Sequence, residues 1–305
     1  MAISASLLSV ADLSGSDIWG LVEKAAGLKQ DTGKPHLKDK TLALLFEKPS
    51  LRTRVSFEVA MQQLGGHTVY LSPEEVGLGR RERVSDVART LSRYVSCIAA
   101  RTFSHQTLEL LAQYADVPVI NALSDREHPC QALGDLLTIF EKKGKLTGLK
   151  LALIGDGNNV ARSLLLASSL VGMSFSIASP AAHEIEESDV QQARELSPQG
   201  GAQIVLTSDP RLAAKDADVI YTDVWTSMGQ EAEAEARRHA FASYQVNGQL
   251  LSLAKEDALL MHPLPAHHGE EIAEGLLDHR QSVVFDQAEN RLHIQKAVLL
   301  RLLGD

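Results

Sequence analysis

The sequence predicts an α/β protein of two domains, each a parallel β-sheet flanked by helices. Three observations carry that prediction. Short apolar runs alternate with helical patterns along the chain, as in βαβ units whose sheets are covered on both faces. The alternation occurs as two series, parted by a helical stretch that closes in a Lys/Gly cluster (EKKGK, 141–145). The length of 305 residues is also more than one hydrophobic core usually organises, so two domains are expected.

Taken in order, TLALLF (41–46) is a buried strand and VSFEVAMQQLGG (55–66) a helix closed by glycine. HTVYLS (67–72) is a strand, VSDVARTLSRY (84–94) a helix and VSCIAAR (95–101) a strand. HQTLELLAQYA (105–115) is helical and VPVINA (117–122) extended. HPCQALGDLLTIFEKKGK (128–145) is a helix, and the domain boundary is placed inside it, between residues 1–135 and 136–289. The second series opens with LKLALIGDG (149–157), and SFSIAS, AQIVLTS, ADVIYTDV, ALLMHPLP and SVVFDQ are its further candidate strands. Residues 163–183 contain no charged side chain of the Asp, Glu, Lys or Arg type. Their six serines, Gly172 and Pro180 make them a buried helix followed by a strand, not a membrane span. AVLLRLL (297–303) belongs to a C-terminal helix, about 290–305, free to pack back on the first domain.

Composition removes several function classes. A net charge of −9 argues against a nucleic-acid binder, whose footprint is basic. Two cysteines, Cys97 and Cys130, form neither a CxxC nor a disulfide framework, which points to a reducing cytosol and to no metal site. The N-terminal stretch lacks the basic start of a signal peptide, and no cofactor is called for.

Within this acidic chain, FEKPSLRTRVSFE (46–58) concentrates Lys48, Arg52 and Arg54. SLRTR follows a buried strand and opens a helix, where backbone N–H groups and the helix dipole attract an anion. Ser50 and Thr53 add hydroxyls, and Arg52 adds a planar fork that matches phosphate oxygens. The same pattern also describes a capped helix with solvated arginines. Arg101 ends an apolar strand, at the carboxyl edge where open sheets bind ligands. His128 and Gln131, at a helix start, suit a carbonyl group. In MHPLPAHHGEE (261–271), prolines bracket Leu264 and leave outward carbonyls as acceptors. DVWTSMG (223–229) places Asp223 four residues before Ser227, a pairing for an ammonium group or simply an Asp-initiated turn. GDGNN (155–159) invites a dinucleotide reading, yet a third glycine would fall at Val160 and the next strand ends near Ser179, not at an acidic residue.

Together, SLRTR, Arg101, HPCQ, GDGNN, DVWTSMG and HPLP, in this order and spacing, resemble the aspartate/ornithine carbamoyltransferase family, and DVWTSMG points to its ornithine branch. The resemblance spans nearly the whole chain, to ENRLHIQKAV (289–298). It implies a first domain that binds carbamoyl phosphate, a second that binds the amino acid, and a homotrimer. It also implies transfer of the carbamoyl group to the δ-amine of L-ornithine. Carried over position by position, Ser50, Leu51, Arg52 and Thr53 are the phosphate cradle. Arg101 bridges phosphate and carbonyl oxygen, while His128 and Gln131 bind the carbamoyl group. The carbonyls of Pro263 and Leu264 accept from its NH₂, and Arg291 is a further phosphate-side arginine. Asn159, Asp223, Ser227 and Met228 hold ornithine, and Asp223 joins Arg52, Thr53, Arg101 and His128 among the catalytic groups.

Two departures from the family pattern stand out. The ornithine branch usually reads His-Cys-Leu-Pro, where this chain has His262-Pro263-Leu264-Pro265, as the aspartate branch does. A Gln or His that the family often donates across the trimer is Gly77 here. These leave open a carbamoyltransferase acting on aspartate or putrescine, or a non-catalytic phosphate-metabolite-binding relative. Against aspartate stands Ala266, where that branch carries an arginine.

Overall fold

A computed structural model describes residues 6–30, 35–79, 81–197, 202–227 and 229–304. The chain divides into two compact units: one holds the residues up to Leu137 together with those from Asn290 onward, the other Thr138–Glu289. The expected class, two parallel sheets flanked by helices, is the one found.

The first unit begins with α1 (Gly15–Leu28), which the apolar-run pattern did not single out. Ser14 accepts from Asp17 N and Asp17 returns the bond, a capping box that starts the helix. Ile18, Leu21, Val22, Ala25 and Leu28 then form its buried stripe. Next come β1 (Thr41–Phe46), α2 (Leu51–Gln63), β2 (His67–Leu71), α3 (Pro73–Val76), α4 (Val84–Leu91), β3 (Cys97–Arg101), α5 (His105–Tyr114) and β4 (Val119–Leu123). The strands lie in the order β2-β1-β3-β4, all parallel. Strand β1 pairs on both sides, which explains its unbroken apolar run: Leu42 to Phe46 are each at most 1% exposed.

Helix α6 (Pro129–Lys143) carries the chain into the second unit. There follow β5 (Lys150–Ile154), α7 (Asn159–Leu170), β6 (Ser174–Ala178), α8 (Glu187–Leu196), β7 (Ile204–Thr207), α9 (Pro210–Ala214), β8 (Val219–Tyr221), α10 (Ala234–Phe241), α11 (Gly248–Leu251) and β9 (Leu259–Met261). The order is β7-β6-β5-β8-β9, again all parallel. Its core packs Ile154, Ile220, Trp225, Phe241, Tyr244 and Leu260 together. Helix α12 (Val284–Leu303) closes the chain.

One expected strand is corrected. SVVFDQ is not extended: Ser282 makes a single bridge to Leu260, and from Val284 the backbone is the first turn of α12. The reason is that β9 obtains its next bond from a side chain instead. His262 N, just past β9, donates to Gln287 Oε1 at 2.9 Å, and Gln287 lies in the first turn of α12.

Strand order places the sites. In each sheet consecutive connections run outward to opposite sides of a first strand, and ligands bind beyond the carboxyl ends at such a switch point. In the first unit that point lies between β1 and β3, and in the second between β5 and β8. SLRTR and Arg101 follow the first pair; GDGNN and DVWTSMG follow the second.

Candidate active site

In the first unit the loop after β1 is tied to the end of β3. Glu47 N donates to Arg101 O at 2.8 Å, and Phe103 N donates to Glu47 Oε2 at 2.9 Å. Ser50 is the N-cap of α2, its hydroxyl accepting from Thr53 N. Capping with an extended backbone leaves the open first-turn N–H groups, including that of Leu51, at the helix start, as an anion site requires.

Of the three cations in the sequence cluster, only Arg52 joins this start. Arg54 turns away to Glu58 at 3.0 Å and lies over the Tyr70 ring at 3.8 Å. Lys48 sits over Phe103 at 4.5 Å. Two distant arginines replace them. Arg101 is buried at the end of β3, and Arg291 on α12 donates from Nη2 to Thr53 Oγ1 at 2.6 Å. Thr53 and Arg291 are 238 residues apart in sequence.

The electrostatics of this cluster are costly. Burial first, then Arg291 and Arg52, pull Arg101 down from 12.5 to about 10. Burial lowers Arg52 as well. His128 is held far below its ordinary value by burial and by Arg291 and Arg101, so its ring is neutral at pH 7. The buried Nε of Arg101 has no hydrogen-bond partner. Gln131 donates from Nε2 to Asp135 at 2.9 Å, which leaves its buried Oε1 without a donor. A donor on Arg101 and an acceptor on Gln131 are thus open to a polar ligand.

In the second unit Asp223, after β8, is held by Asn158 Nδ2 at 2.9 Å and by Val224 N at 2.8 Å. Burial raises its carboxyl, with the bond from Asn158 opposing. Asn158 also caps α7, accepting from Val160 N and Ala161 N. Asn159 is the first residue of that helix and half-buried. Asn158 was missed in the sequence; its signal is an Asn one position before the helical pattern. Ser227 N donates to Gln230 Oε1 at 3.0 Å. Met228 lies outside the described residues.

Gly157 has a steric explanation. A Cβ there would stand 2.4 Å from Ile185 N, and its N–H donates to His183 O at 2.9 Å. The glycine admits a neighbouring loop, so no dinucleotide is needed to account for it.

The HPLP turn is built around His262. Its Nδ1 accepts from Leu264 N at 2.9 Å, so Nε2 carries the proton toward Glu271 Oε1 at 3.1 Å. Glu271 also accepts from His267 N. Leu264 has φ +56°, a left-handed conformation that costs a non-glycine residue roughly 1–3 kcal/mol. These bonds hold the strained turn that contains Pro263 and Leu264. Nearby, ligand atoms of His267, Glu270 and Glu271 lie within 4.8 Å of one another, with Arg238 at 3.5 Å from Glu270. Gly77 follows α3 with φ +54°, and Arg81 beside it donates to Glu75 O. Arg83 is exposed and Arg80 lies outside the described residues.

Comparisons with known proteins bear on both units. Residues 5–141 match the family model described as "Aspartate/ornithine carbamoyltransferase, carbamoyl-P binding domain", and 147–302 that of the "Asp/Orn binding domain". The chain is 55% identical over 300 residues to an ornithine carbamoyltransferase of Anoxybacillus flavithermus, covering 97% of this chain and 96% of that protein. It is 53% identical over 302 residues to an anabolic ornithine carbamoyltransferase of Pyrococcus furiosus, covering 98% and 96%. The solved ornithine carbamoyltransferase from Pyrococcus furiosus superposes with a TM-score of 0.95 at 50% identity, covering 98% of this chain and 97% of that one.

Proposed function

Because the chain belongs to the aspartate/ornithine carbamoyltransferase family, we propose that it transfers the carbamoyl group of carbamoyl phosphate to the δ-amine of L-ornithine, giving L-citrulline and phosphate. The observation that carries this reading is the cluster of buried Arg101 and Arg291 with half-buried Arg52 at the capped start of α2. Three guanidiniums brought together in an acidic protein repel one another and lose hydration. An acyl phosphate dianion relieves both costs.

In this reading Ser50, the N–H groups of Leu51 and Arg52, that of Thr53 shared with the Ser50 hydroxyl, and the guanidiniums of Arg52 and Arg291 receive the phosphate. Thr53, Arg101 and neutral His128 donate to the carbonyl oxygen as negative charge grows there, a role commonly worth several kcal/mol. Gln131 Oε1 and the carbonyls of Pro263 and Leu264 accept from the carbamoyl NH₂. Asn159, Asp223, Ser227 and Met228 take the α-amino and α-carboxylate groups of ornithine. An ammonium group beside Asp223 offsets the burial that raises its carboxyl. The δ-nitrogen forms a bond to the carbonyl carbon, the bond from that carbon to the phosphate oxygen breaks, and the departing phosphate takes the amine proton. The attacking nitrogen is the neutral amine: its ammonium form, whose ordinary pKa is about 10.4, first gives up a separate proton to solvent, which desolvation favours.

The protein is further proposed to act as a homotrimer in the cytosol. Support comes from apolar residues left exposed in the first unit, Leu51 at 74% and Tyr94 at 75%, and from the buried thiols of Cys97 and Cys130. The deciding assay supplies carbamoyl phosphate with ornithine, aspartate or putrescine and identifies the ureido product. Citrulline alone is expected. Carbamoyl-aspartate or carbamoyl-putrescine as the main product would transfer the chain to another substrate, and no product with any amine would make it a non-catalytic relative.

A further inference from the structure

Arg237 is a buried cation of the second unit that the reaction above does not use. It lies on α10 and is 4% exposed. Its Nε donates to Trp225 O, its Nη2 to Asp156 Oδ2, and its Nη1 stands 3.2 Å from His183 Nδ1. The guanidinium also lies 5.3 Å from the centre of the Phe241 ring. These partners occupy three separate loops. Asp156 follows β5, His183 follows β6 and Trp225 follows β8. Phe241 completes the assembly by stacking on Trp225 at 5.9 Å and lying 4.8 Å from His183.

Burying a guanidinium costs several kcal/mol unless its donors are well placed, and hydrophobic residues often serve stability equally well. Its placement here coincides with the loops that matter. Asp156 lies three residues before Asn159, and Trp225 lies between Asp223 and Ser227. Asn158 joins the same two loops from the other side through its bond to Asp223.

We propose that Arg237 is a positioning residue for the amino-acid substrate: by bonding Asp156 and the Trp225 carbonyl at once, it fixes the spacing of Asn159, Asp223 and Ser227. The inference rests on the reading of those three residues as the ornithine-binding set. Burial pushes Asp156 up to about 6 even beside Arg237, with Asp223 and Glu233 adding to the rise, so the pair is largely withdrawn from water. Loss of either partner leaves the other buried and releases both loops.

The test measures kcat and both KM values for the wild type, Arg237→Gln, Arg237→Lys and Asp156→Asn. In Arg237→Gln the KM for ornithine is expected to rise about 10- to 100-fold, the scale of a displacement near 1 Å. The KM for carbamoyl phosphate should stay within about twofold, because none of the residues proposed to hold it is among the partners of Arg237. Arg237→Lys should recover part of the loss, since an ammonium reaches Asp156 but does not also serve Trp225. Unchanged kinetics, or equal rises in both KM values, would overturn the proposal. If Arg237→Gln does not fold, Asp156→Asn, which keeps the side-chain volume, is judged by the same criteria. A wild type that makes no citrulline refutes the ornithine reading itself, whereas an active wild type with an indifferent Arg237→Gln refutes only the positioning role.

Discussion

Replacing Arg101 with methionine should stabilise the unliganded protein while destroying its affinity for carbamoyl phosphate. The fall of Arg101 from 12.5 to about 10 corresponds to about 3 kcal/mol against the protonated, folded form. Both values lie above neutrality, so the group is charged in folded and unfolded states at pH 7. The penalty therefore applies in full there and is relieved only as pH rises through about 10. Methionine keeps much of the packing and removes the charge. After allowance for imperfect fit, a net gain of about 1–2 kcal/mol raises Tm by roughly 2–8 °C for a unit of this size. Binding moves the other way. Two lost charge-assisted hydrogen bonds amount to about 3–6 kcal/mol, or on the order of 10²–10⁴ in affinity. Scanning calorimetry of the unliganded variant and titration calorimetry with carbamoyl phosphate and inorganic phosphate read the two effects separately. A lower Tm combined with affinity within about threefold of wild type would refute the reasoning, because Arg101 would then be a structural cation and not a ligand group.

Two other consequences are open to direct measurement. Burial pushes Cys130 up to about 12 and Cys97 higher still, so both remain thiols at pH 8 and regain ordinary reactivity only on unfolding. A thiol-specific disulfide reagent should label neither in the native protein and both in denaturant; a rapid native reaction contradicts the burial. Light scattering should return three times 33.1 kDa, about 99 kDa, for the proposed trimer, and a monomer mass at micromolar concentration rules it out.

Most secondary structure was legible because parallel strands buried on both faces leave unbroken apolar runs, as in TLALLF and VSCIAAR. Helix α1 escaped because it lies outside the strand–helix alternation, although Ser14 and Asp17 mark its start. SVVFDQ misled because an apolar β-branched run reads alike as a buried strand or as a buried helix turn. Within the site, Ser50 and Thr53 were readable as a helix start. The departure of Lys48 and Arg54 from the cluster was not: Lys48 lies in the loop before α2, over Phe103, and Arg54 leaves the helix on another side, toward Glu58 and Tyr70.

By itself, then, the sequence determined the α/β class, the paired series of strands and the motifs that follow their carboxyl ends, because all of these are written in local periodicity and turn chemistry. Tertiary structure alone decided which cations converge, joining Arg291 to Thr53 across 238 residues and Arg237 to three loops. It also decided which of them surrender hydration. Convergence and desolvation depend on where strand order brings distant segments, and no local pattern encodes that.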